Sequence, residues 1–344
     1  MIFNVKYKTE LPLEPKSPIA YFISDDDTEL VVEFIDSDTN EIVNKQTVKS
    51  GEIAYGSRQW YTNWKVIFKT LKGQILHTDY FDPTNKVIFI KIDGYALGDN
   101  LAWIPYVEEF RVKHNCTVIC STFWNYLFEG VYKDILFVEP NTTIHNIYAQ
   151  YYIGAHTNDG IYSPSDVSKE PLQKIATDIL GLEWYESRPY IGEKYYRMKP
   201  KIEGRYVCLS EHASGPEKYW REPGGWQKVV DYLNTQGVKV AVISKEPTTL
   251  KNVLDLTGDF PIEERMLDIF HAECYLGVSS GLAWLAYALN TKVIMVSDGT
   301  PIWHEFSENC IRLSENNLEK IDYIYSKVTS YKKVIKSLVG SGVS

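Results

Sequence analysis

Apolar positions in this chain follow two periods, one after the other. From residue 1 to about 86 they come in short runs or alternate with polar positions, and turns separate the runs. Residues 30–35 lead through the turn 36–40 into 41–48, and 64–69 lead through Leu71-Lys72-Gly73 into 74–81. β-branched and aromatic residues fill these runs, and no window has a helical period. A small β-sandwich or meander is predicted, closed by Asp82-Pro83-Thr84-Asn85.

Beyond residue 86, strands alternate with helices. Residues 87–92 read as a strand. Positions 103, 106, 107 and 110 give 99–113 a helical stripe, and 117–120 and 135–138 are further strands. Residues 140–170 are polar and are expected to be irregular. Leu172, Ile175, Ala176, Ile179 and Leu180 then form a helical stripe after Pro171 that Gly181 ends. A second series has strands at 205–210, 238–243, 274–278 and 292–297, with helices at 226–233, 266–272 and 281–289 between them. This alternation predicts an α/β fold with two Rossmann-like lobes, each on a parallel sheet, behind a small β-rich N-terminal domain. The expected boundaries are 1–86, 87–195 and 196–344. Ligands of such sheets bind beyond the carboxyl ends of the strands, so residues just after strands are the ones to search.

Three segments stand at such ends. After 87–92 comes Asp93-Gly94-Tyr95-Ala96-Leu97-Gly98-Asp99-Asn100. Its glycines allow a tight turn, and Asp99 reads either as a helix N-cap or as a general base for an acceptor hydroxyl. The spacing is not the GxGxxG of dinucleotide folds. After 205–210 come Ser210, Glu211 and His212, then Lys218, which suits a diphosphate as a point charge, and Trp226. His212 fits a hydrogen-bonded loop residue better than a catalyst. After 274–278, Ser279, Ser280, Gly281 and Leu282 open a helix and offer backbone N–H groups to a pyrophosphate. Gly98, Asn100, Ser210, His212 and Asp298 complete the candidate set. The DxD-like runs Asp25-Asp26-Asp27 and Asp36-Ser37-Asp38 read as solvated turns in the β-rich region, and His304-Glu305 lacks the HExxH spacing of a zinc site.

Bulk properties narrow the classes. A net charge of −9 excludes a broad phosphate-backbone-binding surface, so no nucleic-acid partner is expected. No run of 18 apolar residues occurs, so no membrane span is predicted, and the N-terminus shows no secretory pattern. Cys116, Cys120, Cys208, Cys274 and Cys310 are odd in number and scattered without a CxxC pair. They read as reduced thiols of a cytoplasmic protein that do not form a metal site. The 25 tyrosines and 9 tryptophans suit sugar stacking, but core building explains them first.

Several of these segments resemble bacterial autotransporter O-heptosyltransferases of the ADP-heptosyltransferase class. The resemblance lies in residues 96–110, in Lys113-His114-Asn115-Cys116, in Ser121-Thr122-Phe123-Trp124-Asn125 and in Asn146-Ile147-Tyr148-Ala149-Gln150. It continues in Lys218-Tyr219-Trp220, in Gly225-Trp226-Gln227 and in Gly281-Leu282-Ala283-Trp284-Leu285-Ala286, so that it spans roughly residues 30 to 313. It implies a GT-B fold and inverting transfer from ADP-heptose, as substrate, to Ser or Thr hydroxyls of an acceptor protein, for which a β-solenoid of autotransporter type is a candidate. On this resemblance Asp99 matches the general base, Lys218 the lysine near the donor phosphates, and Ser280 and Gly281 the backbone cradle of the diphosphate. The family's C-terminal cysteine cluster, which binds iron, has no counterpart here beyond Cys310, so no metal and no cofactor are expected. Self-association stays open. Two alternatives remain: another nucleotide sugar or a saccharide acceptor, and a catalytically silent sugar- or protein-binding homologue.

Overall fold

A computed structural model describes residues 1–8, 17–155, 161–193, 198–296, 299–301 and 303–313. Asp298 and the tail from 314 lie outside the described residues. The chain divides into two compact units, one of residues 1–95 and 102–187, the other of 96–101 and 188–344.

The first unit opens with β1 (Ile2–Lys6), β2 (Ile19–Ile23), β3 (Glu29–Asp36), β4 (Glu41–Lys49), β5 (Ala54–Tyr55), β6 (Trp64–Thr70) and β7 (Ile75–Tyr80). They form two antiparallel sheets, in the orders β1-β2-β5 and β4-β3-β6-β7. The second sheet is built from the strands whose alternation is clearest in the sequence. Val32 opposite Phe68 and Phe34 opposite Val66 bury one face completely. Glu33 points the other way and is held there by Lys45 and Lys69. The sheet around β1 and β2 is an addition that the sequence pattern did not reveal.

The unit continues with β8 (Val87–Ile92), α1 (Leu97–His114), β9 (Thr117–Ser121), α2 (Asn125–Phe128), β10 (Ile135–Phe137), β11 (Ala149–Ile153) and α3 (Leu172–Leu180). Its parallel sheet has the order β10-β9-β8-β11. β11 corrects the expectation that 140–170 is irregular. Ala149, Tyr151 and Ile153 are buried, but the strand is only five residues long and holds a single branched aliphatic residue beside Gln150 and two tyrosines, so its apolar signal is weak. α1 is locked to the unit by Trp103, whose indole N–H donates to the Leu172 carbonyl at 2.7 Å, and by the Tyr106 hydroxyl on the Tyr185 carbonyl.

The second unit holds β12 (Tyr206–Ser210), α4 (Gly225–Thr235), β13 (Lys239–Val242), β14 (Leu254–Asp255), α5 (Ile262–Phe270), β15 (Tyr275–Gly277), α6 (Gly281–Ala288), β16 (Val293–Val296) and β17 (Cys310–Leu313). All pair in parallel in the order β14-β13-β12-β15-β16-β17. Leu209, Val240, Val242, Leu276, Ile294 and Val296 pack beneath Val229, Val230 and Leu233 of α4. Near-continuous apolar strands of this kind are expected of a parallel sheet buried on both faces. The first turn of α1 groups with this unit and the rest of the helix with the first. Two parallel α/β sheets and a β-rich N-terminal region are therefore present, as the alternation implies.

Gly181 ends α3 in the left-handed region, at φ 63°, and a Cβ there would fall within the Tyr61 ring. Gly181→Ala should therefore cost both backbone strain and overpacking, together about 2 kcal/mol or more. A urea melt that shifts by less than about 1 kcal/mol would contradict this packing.

Candidate functional site

Strand order in the second unit reverses between β12 and β15, and such a switch point is where open α/β sheets bind ligands. Ser210 ends β12 opposite Gly277, which ends β15. A Cβ on Gly277 would lie 2.6 Å from the Ser210 carbonyl oxygen, so this contact requires glycine. The Ser210 hydroxyl is 3.2 Å from that of Ser244 and 3.2 Å from the His212 carbonyl, which tie the strand end to its loop. Beyond β15, Ser280 is the N-cap of α6, its hydroxyl accepting from the Ala283 N–H and lying 3.1 Å from the Tyr275 hydroxyl. The N–H groups of Gly281 and Leu282 precede the first intrahelical bond and remain available to an anion.

A second helix start meets this one. α1 begins at Leu97, two residues earlier than expected, so Asp99 lies inside its first turn and is not the N-cap. A Cβ on Gly98 would be 2.9 Å from Cδ1 of Trp284 and 3.5 Å from Cα of Gly281. A Cβ on Gly281 would be 3.1 Å from Cβ of Leu97 and 3.3 Å from the Gly98 nitrogen. The two helix starts thus touch through their backbones, glycine to glycine. Asp99 is half-buried beside this contact. Burial pushes its carboxyl up to about 6, Lys218 pulls the other way, and the negative charge of Glu305 adds to the rise. Lys218 ends a short 3-10 turn, Pro216–Lys218, and among the described residues its ammonium makes no hydrogen bond or ion pair. Backbone at Gly299 packs against Glu217, so the loop after β16 braces that turn.

Glu305 lies in the same loop and was considered in the sequence only as half of an absent zinc motif. It is 9% exposed, and its two oxygens accept from the Ser279 hydroxyl and from the Trp284 indole N–H. Its neighbour Phe306 stacks on Tyr287 at 4.1 Å and meets Trp284 edge-on. The available signal was an acidic-aromatic pair, Glu305-Phe306, in the loop after a parallel strand.

The structure thus brings together Asp99, Gly98, Lys218, Ser279, Ser280 and Gly281, with Ser210 at the neighbouring strand end. Trp226 belongs instead to the apolar core, edge-on to Trp220 at 4.8 Å. Leu282 is half-buried on α6, and the Asn100 amide donates to the Ala96 carbonyl at 2.9 Å. His212 packs edge-on to Tyr219 and lies 4.0 Å from Glu211. Asp93 is exposed and paired with Lys91. Asp26 caps its own turn through Ser24 and Thr28, and Asp36 pairs with Arg58 at the β3–β4 turn, which accounts for both DxD-like runs. Cys116, Cys120, Cys208 and Cys274 are buried free thiols pushed up by burial. Among the described residues, no three His, Cys, Asp or Glu side chains group as metal ligands, and no helix is long and apolar enough to cross a membrane.

No protein-family profile matches the chain. Autotransporter heptosyltransferase Aah of Escherichia coli is 29% identical over 280 residues, which cover 77% of this chain and 71% of Aah. The chain is a relative of the autotransporter heptosyltransferases. The protein described as inactive autotransporter heptosyltransferase BimC, of Burkholderia thailandensis, is also 29% identical, over 68% of this chain and 58% of BimC. Among solved structures, the iron-containing dodecameric glycosyltransferase TibC of enterotoxigenic E. coli aligns with a TM-score of 0.79 at 22% identity, over 90% of this chain and 81% of TibC. TibC has also been crystallised with ADP-D-β-D-heptose. The fold is therefore GT-B, and sequence and fold are those of a glycosyltransferase, as the resemblance implies. The iron of TibC finds no matching ligand group among the residues described here.

The glycine contact has a direct test. Gly98→Ala places a methyl against the Trp284 ring and should cost about 1–3 kcal/mol. A thermal melt matching the native protein would show that the helix starts are not in contact. The same contact makes Gly281→Val a perturbation of α1 as well as of the anion site.

Proposed function

We propose that this chain is an inverting, metal-independent transferase that moves heptose from ADP-heptose onto Ser or Thr hydroxyls of an acceptor protein of autotransporter type. The observation that carries the reading is Asp99: a carboxylate raised to about 6, on a helix turn that abuts an anion-binding helix start beside an uncommitted lysine. Asp99 takes the proton of the acceptor hydroxyl as its oxygen bonds to the anomeric carbon. The bond from that carbon to the diphosphate breaks, and ADP leaves. A single displacement from the opposite face inverts the anomeric centre. Lys218 and the N–H groups of Gly281 and Leu282 meet the charge that develops on the diphosphate. Residues 196–344 take the donor, residues 87–195 receive the acceptor, and the β-rich residues 1–86 form a separate N-terminal domain. A cytoplasmic location and assembly into an oligomer belong to the same reading, the latter supported by the dodecamer of TibC.

Kinship alone does not separate an active enzyme from a silent homologue, because BimC shares the same 29% identity as Aah over a somewhat shorter stretch. The setting of Asp99 supports the active reading. A surface-solvated carboxylate keeps a pKa near 4 and is a weak base at neutral pH; one near 6 combines ionisation with basicity.

Asp99→Asn should lower heptose transfer at least about a hundredfold, the low end of what a positioned base contributes. Stability should not fall with it. The folded pKa lies above the ordinary 3.8, so the contribution of Asp99 to stability is complete at low pH and is lost as pH rises through about 6. At pH 8 the neutral amide should therefore melt no lower than the native side chain. Near-normal transfer by Asp99→Asn would remove Asp99 as the base and return attention to Asp93, Glu211 and His212.

Transfer should also survive EDTA, since Lys218 and the α6 N-terminus supply the positive charge. Loss of transfer on dialysis against chelator, restored by Mg, Mn or Fe, would overturn the metal-free part of the reading.

A further inference from the structure

Nothing in the chemistry of sugar transfer calls for a second carboxylate behind the first, yet Glu305 is withdrawn from solvent within the same unit as Asp99. Burying a carboxylate is costly unless its oxygens are hydrogen-bonded. Here both are: one accepts from Ser279, the residue just before the α6 N-cap, and the other from the indole N–H of Trp284, one turn into α6. Glu305 therefore staples the first turn of α6 at two points.

The staple extends to α1. Trp284 is buried, with its Cδ1 edge against the position where Gly98 lacks a side chain. Cδ1 and the indole nitrogen are adjacent ring atoms, so the hydrogen bond to Glu305 fixes the edge on which the α1 turn rests. Phe306 closes the other side by packing edge-on to Trp284 and flat on Tyr287. The chain of contact runs from Glu305 to Trp284 to Gly98, the residue before Asp99.

We propose that Glu305 is a positioning residue of this site, holding Trp284 against Gly98 so that the helix turn carrying Asp99 keeps one orientation toward the anion-binding start of α6. This rests on the reading of Asp99 as the base. Two charged groups act on Asp99, Lys218 and Glu305, and Glu305 in turn faces Arg312, whose guanidinium donates to the Thr300 carbonyl at 3.2 Å. Glu305 thus acts on the base in two ways: it orients the turn, and its charge makes the carboxylate of Asp99 more basic.

The two effects are separable in Glu305→Gln, which keeps the size, loses the charge, and must present an amide N–H to one of the two donors. Protein labelled with 13C at the aspartate carboxyls, with the Asp99 signal assigned by its loss in Asp99→Asn, gives the Asp99 titration directly. In Glu305→Gln the midpoint should fall by about half a unit or more, because a nearby negative charge has gone. The kcat for ADP release from ADP-heptose should fall about tenfold while the KM for ADP-heptose changes less than about twofold, as expected when alignment in the transition state is lost. A merely structural role would lower the melting temperature and leave the Asp99 midpoint in place. An unchanged midpoint with unchanged kcat in folded Glu305→Gln overturns the proposal. If that variant does not fold, Trp284→Phe replaces the indole with a smaller aromatic ring that lacks the N–H and leaves the Glu305 charge in place; it should lose kcat severalfold, and full kcat would overturn the staple. Native protein that releases no ADP from ADP-heptose would sink the donor reading instead, with the Asp99 titration still deciding the role of Glu305.

Discussion

The Gly98–Gly281 contact sets the spacing of everything in the candidate site. Two helices begin at one point with no side chain between them, and each missing Cβ leaves room that the other helix occupies. The geometry carries an electrostatic consequence. Helix starts concentrate unpaired N–H groups and partial positive charge, and here two of them are brought together. One is capped by Ser280 and stays open to an anion, while the other carries a carboxylate in its first turn. The Asp99 carboxyl and the free N–H groups at the start of α6 are thereby held side by side by backbone packing, as the proposed base and anion cradle require.

Sheet topology delivers the remaining parts to the same place. The order reversal between β12 and β15 opens the carboxyl end of the six-stranded sheet, where Ser210 and the Ser279–Ser280 turn emerge. Lys218 comes from the loop after β12 and Glu305 from the loop after β16, so strand ends on both sides of the switch contribute. The loops brace one another through the backbone contact of Gly299 with Glu217. Among the described residues the Lys218 ammonium there makes no hydrogen bond or ion pair, though its charge acts on Asp99, which suits the diphosphate role proposed for it.

The legible parts of this arrangement were those encoded locally. β3 and β6 are runs of β-formers bounded by turns, α3 is an apolar stripe bounded by Pro171 and Gly181, and all three were readable from composition, period and punctuation alone. β11 was not, because five residues with only one branched aliphatic among them carry too little signal. Asp99, Lys218, Ser280 and Gly281 were legible as candidates because each follows a parallel strand, and the structure gathers them at one place. Trp226 answers to the same rule, but packing decided its place, and it builds the core with Trp220. Glu305 fits no local motif, since His304-Glu305 lacks the HExxH spacing. Its role comes from burial between Ser279 and Trp284, partners more than twenty residues away, which no local spacing encodes.

The proposed transfer depends on the ionisation of Asp99 in the working protein. The direct measurement is the pH dependence of kcat/KM for ADP release from ADP-heptose, which reports ionisations of the free enzyme and the free substrate. A base raised by burial and by Glu305 predicts an acid limb with its midpoint near 6, activity falling as pH drops through that value. A profile that stays flat down to about pH 4, the range of an unperturbed carboxylate, would contradict it.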